Sequence, residues 1–147
     1  MDNVDVIVLG TGAAGMTAAL AAHEAGASVA LIERGSRIGG TSAISGGVIW
    51  VADNPRMRAA GMADSPAEAL AYFRSLDHGD LVDEVLEAFV DHGPEALEFL
   101  EGIEALKVAV LPGYPDYYLD RPGAKPEGSR ALDHDLFALG ELGDWAA

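Results

Sequence analysis

VDVIVLGTGAAGMTAALAAHEAGASVALIE, residues 4–33, is the stretch on which the fold turns. VDVIVL (4–9) is a short β-branched run, long enough for one buried parallel strand, and Gly10 stops it. From Ala13 to Ala25 alanine dominates, Met16, Leu20 and His23 recur at helical spacing, and Gly26 ends the segment. SVALIE (28–33) is a second apolar strand, so the order is β-α-β. Gly10, Gly12 and Gly15 spell G-x-G-x-x-G between the first strand and the helix. Glu33 closes the second strand about where a dinucleotide fingerprint requires an acid.

Each glycine has its own physical reason. Gly10 permits the tight turn, Gly12 lets backbone approach a pyrophosphate, and Gly15 lets the helix pack close to the strand. Unpaired N–H groups at the helix start, where Ala13 and Ala14 lie, and the positive end of the helix dipole favour an anion. These residues, with Glu33 and the neighbouring Arg34, are the predicted cofactor-binding set of this unit. Glu33 would accept hydrogen bonds from ribose hydroxyls and repel a 2′-phosphate, which favours FAD or NAD over NADP.

The rest of the composition sets bounds. A chain of 147 residues, half of them hydrophobic, can bury one core and does not call for a second complete domain. Twenty-four acidic residues against nine basic ones give a net charge of −15, which repels nucleic acid and anionic lipid. The absence of cysteine excludes disulfide frameworks, thiolate metal sites and redox dithiols. Residues 6–22 carry no charge, but Asp2 and Asp5 precede them where a signal or membrane segment would be basic. We expect a cytoplasmic protein with no membrane span and no nucleic-acid partner.

Further along, Ser65, Pro66 and Glu68 of SPAE form the start signal of a helix running to about Leu76. Leu81, Val82, Val85, Leu86, Phe89 and Val90 predict an amphipathic helix from about Asp80, its carboxylates forming a solvated face. GPEALEFLEG should restart helix after a break, and KVAVL (107–111) should be a strand. Residues 112–130, with four prolines and three glycines, predict a long ordered loop. His23 is expected as half-buried packing; His78, His92 and His134 have no second ligand at metal spacing, and no metal site is assigned.

RGSRIGGTSAISGGVIW (34–50) replaces the helix that a nicotinamide-binding unit would place after its second strand. Gly39, Gly40, Gly46 and Gly47 remove side chains where backbone must pass close to something flat or charged, while Thr41, Ser42 and Ser45 supply hydroxyls. Here the sequence resembles the FAD-dependent oxidoreductases of the fumarate reductase and 3-ketosteroid dehydrogenase type, which carry a similar GGTS…SGG.IW segment. The resemblance implies that Thr41 and Ser42 lie near the pyrophosphate and that Ser45, Gly46 and Gly47 lie near the isoalloxazine, with Gly40 also in the predicted cofactor-binding set. Residues 34–50 hold no histidine that could carry flavin covalently, so FAD is expected to be noncovalent.

PGYPDYYLDRPG (112–123) similarly looks like the PDYY loop of the 3-ketosteroid dehydrogenases. In that family a hydride passes to flavin from one carbon while a tyrosine assists removal of a proton from its neighbour, giving a double bond conjugated with a ketone. Carried across, the catalytic role falls on Tyr117, with Tyr114 and Tyr118 structural and Asp116 capping a turn.

The implied fold class is α/β, a Rossmann-like FAD-binding domain that is incomplete in this chain. Residues 1–147 would be its N-terminal part, without the substrate (cap) domain and the C-terminal flavin-binding segment of the relatives. A parallel sheet holding only its first strands leaves an open apolar edge. We therefore expect either a subunit completed by a second polypeptide or a fragment, acting on a small, steroid-like substrate. The competing readings are a noncatalytic FAD- or ADP-binding partner subunit and an NAD-binding dehydrogenase, the latter needing a helix over residues 35–50.

Overall fold

The computed structural model describes residues 3–135 together with Ala138, Gly140 and Gly143. The terminal GELGDWAA, apart from its two glycines, lies outside the described residues. The chain divides into two compact units, Met1–Gly47 and Val48–Ala147.

In the first unit β1 (Val6–Leu9) and β2 (Val29–Ile32) pair in parallel, Val6 opposite Val29 and Leu9 opposite Ile32. Asp5 and Ser28 hold that register where the strands begin. Ser28 donates to Asp5 Oδ2 from N–H at 2.9 Å and from Oγ at 2.6 Å, and Asp5 N–H donates to Ser28 Oγ at 3.0 Å. Between the strands lies α1 (Ala13–Glu24), made of small helix-forming residues. Gly26, at φ +87°, ends it: its N–H donates to the His23 carbonyl at 2.8 Å and that of Ala27 to Ala22 at 3.0 Å. This pair of bonds is the Schellman closure that a left-handed glycine allows. Ile7, Leu9 and Ile32 remain exposed, the open apolar surface expected of a parallel sheet with two strands.

The second unit is built on a three-stranded antiparallel sheet that sequence reading did not anticipate, in the order β3 (Ile49–Trp50), β5 (Gly128–His134), β4 (Val108–Pro112). Ile49 lies opposite Leu132, and Val110 opposite the same residue on the other side. β5 corrects the long-loop expectation, since its first residues fall within 112–130. Gly128 adopts φ +82°, and a Cβ there would strike the backbone of Tyr114. The glycine counted as a loop signal thus marks a close crossing of two segments.

Three helices pack with this sheet. α2 (Pro55–Ala59) is capped by Asn54, whose Oδ1 accepts from Met57 N–H at 2.9 Å. The Asn54 amide is fully buried and donates to the carbonyls of Val51 and Ser129 at 2.8 and 3.0 Å. α3 (Pro66–Leu76) starts and ends as expected, with Glu68 N–H donating to Ser65 Oγ at 3.3 Å. α4 (Asp83–Gly102) begins later than Asp80, because the Asp77 carboxylate captures the N–H groups of Gly79, Asp80 and Leu81.

α4 also runs unbroken through Gly93 and Pro94, against the expected interruption. A residue before proline is disfavoured in a helix through its Cβ, and Gly93 has none. Val51 packs against the vacant position, while Leu86, Val90 and Leu97, on both sides of the proline, are each buried on the core face. Leu81, Val82, Val85 and Phe89 of the predicted apolar face stay largely exposed. Two core clusters result, Val51–Leu97–Val108–Leu132 and Ala52–Ala69–Leu86–Val90.

Candidate cofactor and active site

In the first unit the glycine turn is built as its spacing requires. Gly10 takes φ +102°, its N–H donates to the Ile32 carbonyl at 2.7 Å, and a Cβ on Gly15 would collide with the Gly10 carbonyl. The intrahelical bonds of α1 begin with Met16 N–H to Gly12 O at 2.9 Å. This leaves the N–H groups of Gly12, Ala13, Ala14 and Gly15 without an intrahelical acceptor. Ser42 reaches back to one of them, its Oγ accepting from Ala13 N–H at 3.1 Å. Gly40 lies against Gly12, a Cβ on it falling 3.5 Å from the Gly12 Cα.

Glu33 closes the same cradle. Its Oε2 accepts from Thr11 Oγ1 at 2.6 Å and from Thr11 N–H at 3.1 Å, and its Oε1 accepts from Gly35 N–H at 2.8 Å. The Thr11 hydroxyl, followed by the N–H groups of Gly35 and Thr11, draws the Glu33 carboxyl down to about 2. The buried Thr11 Oγ1 also accepts from Gly39 N–H at 2.8 Å, tying the glycine turn to the loop after β2. That loop, 34–47, contains one 3-10 turn (Ser42–Ile44) and no α-helix. Beyond it, Ser45 Oγ donates to the Ser42 carbonyl at 2.8 Å and accepts from Gly47 N–H at 3.1 Å.

In the second unit the tyrosine loop is held from below by a buried ion cluster. Arg130, 1% exposed, donates to both oxygens of Asp64 at 2.8 and 2.7 Å and to Asp116 Oδ2 at 2.8 Å. Its guanidinium carbon lies 5.1 Å from the Trp50 ring centroid and 5.9 Å from that of Tyr72. Asp116 accepts also from Trp50 Nε1 at 2.8 Å and from Lys125 N–H at 2.9 Å. Burial would push the Asp64 carboxyl up, but hydrogen bonds from Arg130 and from Asp53 N–H hold it below its ordinary value. Tyr118 N–H donates to the Tyr72 hydroxyl at 3.2 Å, pinning the loop on the far side of Tyr117. Tyr114 and Tyr117 meet edge to face, hydroxyls 3.4 Å apart, on a cavity of about 350 Å³ lined by Trp50, Tyr72, Phe73 and Phe89.

A family model described as an FAD binding domain matches residues 5–146. The chain belongs to this FAD-binding family. Its cofactor is FAD, and its fold is the mixed α/β fold of the family. It is 43% identical over 143 residues to 4-oxocyclohexanecarboxylate 2-dehydrogenase of Sinomonas cyclohexanicum, a match covering 97% of this chain and 25% of that protein. It is 41% identical over 140 residues to 3-oxosteroid 1-dehydrogenase of Mycolicibacterium smegmatis, covering 95% and 24%. Among solved structures it resembles 3-ketosteroid Δ1-dehydrogenase of Sterolibacterium denitrificans in complex with 1,4-androstadiene-3,17-dione. That match has a TM-score of 0.83 and 38% identity over 98% of this chain and 25% of the other. The chain therefore spans about a quarter of the length of the relatives it matches.

The cradle fits the FAD of this family on its own geometry. Gly10 holds a left-handed φ that favours glycine, Gly15 leaves no room for a side chain, the start of α1 presents N–H groups to an anion, and the ionised Glu33 is an acceptor suited to a ribose. The first unit of this FAD-binding chain brings Gly10, Gly12, Gly15, Glu33, Gly40 and Ser42 together. Ala13 and Ala14 open α1, while the exposed Arg34 makes no side-chain contact with the glycine turn among the described hydrogen bonds. Thr41 precedes the 3-10 turn, and Ser45, Gly46 and Gly47 follow it without reaching the glycines.

Sequence reading missed Thr11, Asp64 and Arg130 and underrated Asp116. Thr11 carries no signal beyond being a hydroxyl between two fingerprint glycines. Arg130 could have been found as a lone cation inside the short apolar alternation SRAL. Asp116 does cap the turn at Lys125, but it is also the carboxylate on which Trp50 and Arg130 converge. His23 is exposed, not half-buried. Among the described residues no helix is long and apolar enough to cross a membrane.

Proposed function

We propose that residues 1–147 are the N-terminal part of the FAD-binding domain of a dehydrogenase that introduces a carbon–carbon double bond beside the carbonyl of a cyclic ketone, of the oxosteroid kind. The observation that carries this reading is a phosphate cradle closed by an ionised Glu33 in the same chain as an anchored loop presenting Tyr117. The relatives above, named for oxosteroid and oxocyclohexanecarboxylate dehydrogenation, support the substrate class.

When bound, FAD supplies a two-electron acceptor for the hydride that leaves the substrate. The protein must then do three things. Gly12, Ala14 and Gly15 offer N–H groups to the pyrophosphate, with Ser42 beside them. Glu33 accepts from the ribose and, being negative, excludes a 2′-phosphate. Tyr117, 83% exposed on the aromatic cavity, takes the proton from the carbon next to the ketone, where the carbonyl makes it acidic. The flavin is held noncovalently, because residues 34–50 offer no histidine for attachment. The remaining flavin contacts and the group that polarises the ketone come from polypeptide outside these residues, either a second chain or further sequence of the same one.

Replacing Tyr117 by Phe in the complete, FAD-loaded enzyme is expected to lower kcat on a 3-oxosteroid by about 10²–10⁴-fold with FAD content unchanged. Steady-state kinetics beside the flavin spectrum checks this. Unchanged turnover would point instead to a noncatalytic FAD-binding partner.

A further inference from the structure

We propose that Asp116 is the positioning residue for Tyr117, its buried carboxylate tying the loop to the antiparallel sheet so that the exposed phenol stands in one place. The inference rests on the proton-handling role given to Tyr117 above.

Tyr117 is so exposed that the backbone on either side of it sets where its phenol stands. After it, the hold is one neutral bond, from Tyr118 N–H to the Tyr72 hydroxyl at 3.2 Å. Before it stands Asp116, buried and met by three donors. Trp50 Nε1 donates to Oδ1 at 2.8 Å, while Arg130 and the Lys125 N–H donate to Oδ2 at 2.8 and 2.9 Å. Asp116 N–H donates in return to the Lys125 carbonyl at 3.2 Å, so residues 116 and 125 close the neck of the loop as a reciprocal pair. Hydrogen bonds to an ionised acceptor are about twice as strong as neutral ones. Asp116 is therefore the stronger of the two anchors.

Capping a turn would take only the Lys125 N–H. The indole and the guanidinium add direction, because each comes from a different strand. Trp50 lies on β3 and Arg130 on β5, paired where Trp50 stands opposite Ala131, so the loop leaving β4 is tied to both other strands of its sheet. The donors are themselves fixed. Trp50 meets Phe73 edge to face with centroids 4.8 Å apart, Arg130 grips Asp64 with two nitrogens, and Lys125 Nζ bonds Glu68 at 2.8 Å. Proton removal depends on such placement, since a shift of about 1 Å in a reacting group can cost about 10²-fold in rate.

The test uses Asp116→Asn, which keeps the shape and removes the charge, and Trp50→Phe, which keeps an aromatic ring in the cavity wall and removes one donor. Both are made in the complete FAD-loaded enzyme, with rates on a 3-oxosteroid taken per bound flavin. We expect kcat to fall about 10²-fold in Asp116→Asn and roughly tenfold in Trp50→Phe, with KM little changed. Repeating both substitutions in the Tyr117→Phe background separates positioning from a general structural role. There, single-turnover flavin reduction should be no slower than in Tyr117→Phe alone, because a residue that acts through Tyr117 has nothing left to position. An equal fold-loss in both backgrounds, or unchanged kcat in the single variants, would overturn the assignment of Asp116 and leave the proposed function standing. If Asp116→Asn does not fold, Trp50→Phe decides by the same criteria. Wild-type turnover in Tyr117→Phe would overturn both.

Discussion

At the scale of single residues, Glu33 shows how a fingerprint acid can serve the fold before it meets a ligand. Three donors from Thr11 and Gly35 converge on its carboxylate and lower its pKa to about 2 from an ordinary 4.5. A carboxyl depressed on folding contributes stability that is fully present above its unfolded pKa and is lost as pH falls through the folded one. The contribution should therefore be constant at neutral pH and disappear between about pH 4.5 and about pH 2. Thermal melts over that range should show an acid-side slope that is reduced in Glu33→Gln. An identical slope in the variant would mean that Glu33 is not the residue responsible.

Among elements, the loop between β4 and β5 gains its order from a charge cluster rather than from its prolines. Arg130 neutralises Asp64 and Asp116, both nearly inaccessible, and is sandwiched with Trp50 and Tyr72. Removing one member of such a group leaves uncompensated charge in a place water cannot reach, which costs far more than the group contributed when intact. Arg130→Met is expected to destabilise the second unit by about 3–5 kcal/mol, read as a lowered urea midpoint. Arg130→Lys should recover part of this, since it restores the charge but not the two-pronged contact with Asp64. A midpoint unchanged in Arg130→Met would show that water relieves the carboxylates.

For the whole molecule, the expectation concerns what the chain does unaided. The FAD cradle is present, yet the sheet of the first unit keeps Ile7, Leu9 and Ile32 open, and the relatives are about four times as long. Expressed by itself and passed over gel filtration, the chain should show no turnover of oxosteroid with added FAD and an artificial electron acceptor. Activity should return when the completing polypeptide is supplied. A monodisperse, flavin-loaded monomer that turns over substrate would refute the need for further polypeptide.

Much of this protein was legible in its sequence because the features concerned are local. G-x-G-x-x-G between a strand and a helix, Glu33 at the second strand end, the Ser65 cap and the stop at Gly26 each depend on residues within a few positions. The glycine- and serine-rich stretch after β2 likewise excluded a helix there, and the structure has none beyond one 3-10 turn. What tertiary structure alone decided are the long-range matters. Glycine and proline at 93–94 read as a break, but burial of Leu86, Val90 and Leu97 on one face outweighs the single lost hydrogen bond and keeps α4 whole. β5 was hidden because its pairing partners lie about 20 and 80 residues away. Asp64, Asp116 and Arg130 look like ordinary surface charges in the sequence; the antiparallel sheet and α3 close over them, and ions without water must find each other.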